Sequence, residues 1–202
     1  MISSSLPNTA PSNSFRLVCG FSFAIAALVL RFAPFPENFA CFGALSLFCG
    51  WTLAGAWRWG IPLLTLFAGD CFGHYMGIAG FGFYYVPSMV CNYVGFASMI
   101  GIGMLMSRML NQSSSTDFAP WGLVGFGAVT GSIAFFLISN FGAWLDPILG
   151  YGAGFAEIIR CYAMGLPFYR ATLISDVMFG LGFYATYQFA AASVSNWERR
   201  AA

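Results

Sequence analysis

Six apolar runs, near residues 15–33, 39–56, 60–77, 86–107, 120–139 and 170–191, constrain this chain more than any other feature. They approach the roughly 20 residues that a helix needs to cross a hydrocarbon core. Inside lipid every backbone N–H and C=O needs an internal partner, so such spans must be helical. Only 7% of the residues are charged and 59% are hydrophobic, against about 25% charged in soluble domains. The expectation is an all-α, polytopic membrane protein of six transmembrane helices, with the lipid bilayer as its first partner. A net charge of +1 without a basic patch argues for no nucleic-acid partner.

Three segments follow from this reading. Residues 1–14, "MISSSLPNTAPSNS", form a polar tail expected to be disordered. Residues 15–192 hold the spans, and 193–202 form a C-terminal tail. The tail lacks the basic start of a signal peptide, and the run after it ends at Arg31 without a small-residue cleavage site. The six cysteines lie mostly within apolar runs and form no C-x-x-C pair, as small buried hydrophobes do.

The arginines orient the chain. With the N-terminus cytoplasmic, Arg16, Arg58, Arg108, Arg199 and Arg200 fall inside, while Arg31, Arg160 and Arg170 fall outside. That asymmetry predicts both termini in the cytoplasm. The segment 150–167, "GYGAGFAEIIRCYAMGLP", is short for a span and carries Glu157 and Arg160, which a helix would pair. It is expected as an amphipathic helix on the outer face.

With this topology Glu37, Asp146, Glu157, Arg160 and Arg170 lie on the outer side. Asp70 and His74 fall in the outer half of the third span, and Asp176 in the outer half of the sixth, with Thr172 four residues before it. A carboxylate inside a span is costly and points into the bundle or a wet cavity. In "FAGDCFGHYMG", Gly69, Gly73 and Gly77 suggest a close-packing face, beside a polar face of Asp70 and His74. Asp70 has two readings: a cavity contact, or a structural partner for an arginine or for His74. Gly127 and Gly131 suggest a second packing pair. Asn92, Tyr93 and Gln188 are expected to hydrogen-bond between helices. The aromatic stretch 80–87, "GFGFYYVP", is read as an interfacial belt or as a lid.

Catalytic constellations do not assemble. His74 is the single histidine, which argues against a Ser/His/Asp triad or a multi-histidine metal site. Neither a phosphate-binding loop nor a dinucleotide fingerprint is present. The chain is expected to be no enzyme and to hold no cofactor and no metal.

The stretches "PENFACFGALSLFCG" (36–50), "LLTLFAGDCFG" (63–73), "SNFGAWL" (139–145) and "CYAMGLPFYRATLISDVMF" (161–179) resemble a bacterial family of integral membrane proteins of unknown function. That family in turn resembles the substrate-binding S components of energy-coupling-factor (ECF) transporters. The resemblance implies a bacterial inner membrane, an ECF S-component-like six-helix fold, and an external pocket capped by the loop between the first two helices. It also implies a coupling protein and ATPases as partners. In place of the Ala-x-x-x-Ala docking pattern of S components, the first helix offers Gly20 and Ala24, or Ser22 and Ala26. The expected function is capture of a small, vitamin-like solute between segments 31–38, 78–85 and 140–168. Asp70, His74, Arg170, Thr172 and Asp176 are its expected polar contacts, and Trp144, Tyr162 and Phe168 its apolar ones. The alternative is a membrane scaffold or partner subunit without a solute, its polar residues being structural.

Overall fold

The computed structural model describes residues 11–78, 85–112 and 119–201. Among them the chain forms six α-helices: α1 (Asn13–Arg31), α2 (Phe42–Thr52), α3 (Trp57–Tyr75), α4 (Val86–Gln112), α5 (Ala119–Leu145) and α6 (Phe155–Ala201). A 3-10 turn at Pro147–Leu149 joins the last two. Asn13–Arg31, Val86–Met109 and Pro120–Leu145 are long and apolar enough to cross a membrane. Large apolar side chains such as Ile25, Leu64, Val90, Phe126 and Phe189 point outward on these and other helices, while Ser46, Ser132, Ser175 and Asp176 are buried. Polar groups inside and apolar groups outside suit a lipid solvent. Most of the expected N-terminal tail, and residues 80–84 of the expected belt or lid, lie outside the described residues.

The run expected as a second span yields a helix of only 11 residues, about 16 Å long and half the depth of a hydrocarbon core. It is a correction to the sequence reading: α2 is a short core helix. Ten of its residues are buried, and it packs against each of the other five α-helices. A helix apolar on every side belongs at the centre of a bundle. Phe23 of α1 stacks on Phe183 of α6 at 4.2 Å and meets Phe48 of α2 edge-on at 4.8 Å. At its C-terminal end the Thr52 carbonyl accepts a hydrogen bond from Arg16 Nη1 at 3.2 Å, filling one acceptor that a helix end leaves open. Gly127 and Gly131 of α5 lie against the Met106 and Met99 side chains of α4, as their spacing predicts.

A second correction concerns the amphipathic helix and the sixth span, which are one helix of 47 residues. At about 70 Å it is more than twice the thickness of the hydrocarbon core. Pro167 lies inside it and removes the hydrogen bond to the Ala163 carbonyl. One missing bond does not end a helix whose neighbours hold it on both sides of the gap. Tyr162 Oη donates to the Leu137 carbonyl at 2.6 Å, and Gly165 seats against Asn140 and Phe136 of α5. The expected pair Glu157 and Arg160 does form, at 3.4 Å, in its exposed first turns. Helical backbone also continues through the C-terminal tail to Ala201.

Gly69 fulfils its expected packing role, close against Arg31 and Leu28 of α1, but Gly77 has another. It sits just past α3 with φ +66°, its N–H bonding to the His74 carbonyl and that of Ile78 to the Gly73 carbonyl. This pattern closes a helix end and favours glycine. A Cβ at Gly77 would touch nothing within 4 Å, so Gly77→Ala tests the backbone alone. We expect it to cost about 1–2 kcal/mol and lower the unfolding temperature by roughly 2–8 °C. Gly60→Ala, equally open but within α3, should instead leave stability unchanged or raise it; equal shifts for the two would refute the assignment.

Candidate functional site

α1, α3 and α5 end, and α2 and α4 begin, at one end of the bundle. There they surround a cavity of about 760 Å³, lined by residues of all six helices and of the segment 33–40. On α6 the lining residues Gly165, Tyr169, Thr172 and Asp176 recur at steps of four, three and four, one stripe of a helix. Segment 33–40 covers part of the cavity. It turns at Asn38, whose φ of 61° is one that asparagine tolerates better than most residues. Thr172 Oγ1 shares its one proton between the Asn38 carbonyl of this cap and the Phe168 carbonyl of α6, both at 3.4 Å.

Two carboxyls face the cavity in different states. Asp70 is closed into a network: Arg31 Nη2 donates to its Oδ1 at 2.5 Å and Tyr93 Oη to its Oδ2 at 2.7 Å. The Arg31 guanidinium also lies over the Phe42 ring, 5.0 Å from its centroid, a favourable stack. Asp176 is 2% exposed and its Oδ2 has no hydrogen-bond partner. Ser132 is near enough to act on it, yet Ser132 Oγ also lacks a partner in hydrogen-bonding geometry. Gly43 of α2 makes the room: a Cβ there would stand 2.1 Å from Asp176 Oδ1.

Rings fill the walls between these carboxyls. Phe96 and Phe135 pack at 4.5 Å, and Phe136 and Tyr169 at 4.7 Å; all four line the cavity. The arrangement offers an aromatic enclosure, an ion pair on one side and a carboxyl with one unpartnered oxygen on the other. Among the described residues no three His, Cys, Asp or Glu side chains gather as metal ligands would.

The residues expected at the site divide. Asp70, Phe168, Thr172 and Asp176 line the cavity. His74, Trp144, Tyr162 and Arg170 are not among its lining residues. Trp144 Nε1 instead donates to the Gly152 carbonyl at 3.1 Å, holding the turn between α5 and α6. Tyr162 fastens α6 to α5, and His74 and Arg170 are exposed. Arg31, Tyr93 and Tyr169 were missing from the expected set. Arg31 carried a signal, since it was placed on the same side as Asp70. Tyr169 carried another, since it keeps helical register with Thr172 and Asp176. Tyr93 bonds from α4 to α3, as expected of an intramembrane tyrosine, whereas Gln188 bonds to Tyr184 of its own helix.

Residues 11–197 match the model of a family of unknown function, DUF6580. No curated protein and no solved structure matches the chain.

Proposed function

We propose, from the premise that the chain belongs to the DUF6580 family, that it is a solute-binding membrane subunit that captures a small molecule in the six-helix cavity. One observation carries the reading: Asp176 is buried against the cavity with an unpartnered Oδ2. Desolvating a carboxyl without a compensating hydrogen bond is costly, and a bound ligand would supply that bond once the carboxyl turns toward the cavity. The volume, about 760 Å³, suits a molecule of vitamin size. Asp70, by contrast, serves as structure, since its two oxygens already have donors. Arg170, Trp144, Tyr162 and His74 become supporting residues, and the chain performs no chemistry of its own.

The same reading places the protein in a bacterial inner membrane with the cavity outward, as in an ECF S component. A coupling protein and ATPases would then supply the energy for translocation. Of the two small pairs on α1, Gly20 and Ala24 are buried, Gly20 facing Leu53 and Ile61. Ser22 and Ala26 are more open and form the face available to such a partner.

Thermal unfolding of the detergent-solubilised protein against a panel of vitamins and their precursors tests the reading. A ligand at 100 times its Kd adds about 2.7 kcal/mol, or roughly 5–11 °C for a chain of this size. Asp176→Ala should abolish that rise. A panel without any response, together with unaltered unfolding of Asp176→Ala, would favour the scaffold instead.

A further inference from the structure

We infer that the solute is an organic cation with a flat apolar body, its charged nitrogen donating to Asp176 and its body lying among the aromatic walls. The inference rests on the solute-binding reading above and adds the chemical class.

Charge is the first argument. Among the described residues, the lining groups that carry a formal charge near neutral pH are Arg31, Glu37, Asp70 and Asp176. One positive and three negative groups leave a formal charge of −2 when all are ionised. Arg31 is held on Asp70, so no second cation among the described lining residues answers Asp176 or Glu37. A carboxylate or phosphate ligand would meet uncompensated like charge there, which disfavours it. A cation finds the opposite, and a charged donor makes the stronger hydrogen bond to a carboxylate.

The second argument is the construction around Asp176. Its oxygen occupies the space that a Cβ at Gly43 would fill, so the carboxyl is seated by α2. Thr172, one turn earlier on α6, ties the cap segment above it. The buried Ser132 Oγ, also unpartnered, adds a second polar group beside it. The third argument is the wall. Phe96, Phe135, Phe136 and Tyr169 present ring faces that attract a cation and stack on a planar body. A neutral solute would gain the stacking but not the ion pair.

The test uses three probes of one shape: the naphthylmethylammonium ion, naphthylmethanol and naphthoate, with unfolding followed in detergent at low ionic strength. We expect the ammonium ion to raise the unfolding temperature at concentrations at least about tenfold lower than the alcohol, and naphthoate to have no effect. Asp176→Asn, which keeps the shape and removes the charge, should erase the difference between ammonium ion and alcohol. The wild-type comparison decides even if that variant fails to fold. Equal response to the ammonium ion and the alcohol, or preference for naphthoate, overturns the cation assignment while the solute-binding reading stands. Silence of all three probes also overturns it, and the vitamin panel then judges the solute-binding reading separately.

Discussion

Replacing Arg31 by Ala is expected to lower the unfolding temperature of the detergent-solubilised protein by about 6–12 °C. Arg31 and Asp70 side chains are 16% and 7% exposed, so the pair is desolvated rather than a surface contact. Removing one partner of a buried pair costs about 3–5 kcal/mol, because the other charge stays behind unpaired. Both residues line the cavity rather than a packed interior, which places the cost at the low end, about 3 kcal/mol, and that cost converts to the stated shift. Asp70→Ala should be as damaging, since it removes the carboxylate that holds Arg31 and accepts from the Tyr93 hydroxyl. The double variant Arg31→Met/Asp70→Leu should recover most of the loss, as apolar replacements of buried pairs do. If Arg31→Ala moves the transition by less than about 2 °C, the pair is solvated and the structural role given to Asp70 is wrong.

That pair also measures how far the sequence could be read. Arg31 and Asp70 were placed on the same side by counting spans, and both carboxyls were expected near one hollow. What counting spans cannot reveal is which acid has a partner, because that depends on where α1 ends relative to α3. The long apolar helices were legible, since a membrane span leaves a signal of length as well as composition. α2 was not. Its run reads like a lipid-facing span because a helix buried in protein and one buried in lipid are equally apolar. The break expected between segment 150–167 and the span from 170, where Pro167 stands, is absent for a different reason. A proline inside a helix is rare in water, but surrounding helices can hold the backbone across the gap it leaves. The aromatic lining at Phe135, Phe136 and Tyr169 was hidden among 23 phenylalanines and 9 tyrosines, most of which serve packing. Only the register of Tyr169 with Asp176 distinguished it.

Two glycines on α2 should separate the fold from the site, although both are buried and both would clash as alanine. At Gly50 a Cβ would lie 2.1 Å from the Ile100 carbonyl oxygen, and one at nearby Gly103 of α4 would lie 2.3 Å from the Leu47 carbonyl oxygen. Those atoms are backbone on both sides, so the two helices must part for Gly50→Ala to fit. Overpacking of this kind reaches about 3 kcal/mol, and we expect a loss of about 6–12 °C in unfolding temperature. At Gly43 the obstructing atoms are Asp176 Oδ1 and Cγ and the tip of Met99, all side-chain atoms that rotate away. Gly43→Ala should therefore cost less, about 1 kcal/mol, and leave a folded protein. Its effect falls on the carboxyl, which is driven from the position where it would meet the proposed solute. The expected result is a protein that unfolds within about 4 °C of wild type and no longer responds to the ligands that stabilise it. Gly43→Ala with a full ligand response would mean that the seat α2 provides for Asp176 is packing alone. Gly50→Ala with wild-type stability would mean that α2 is not clamped to α4, and a cavity built on its N-terminal end would lose its foundation.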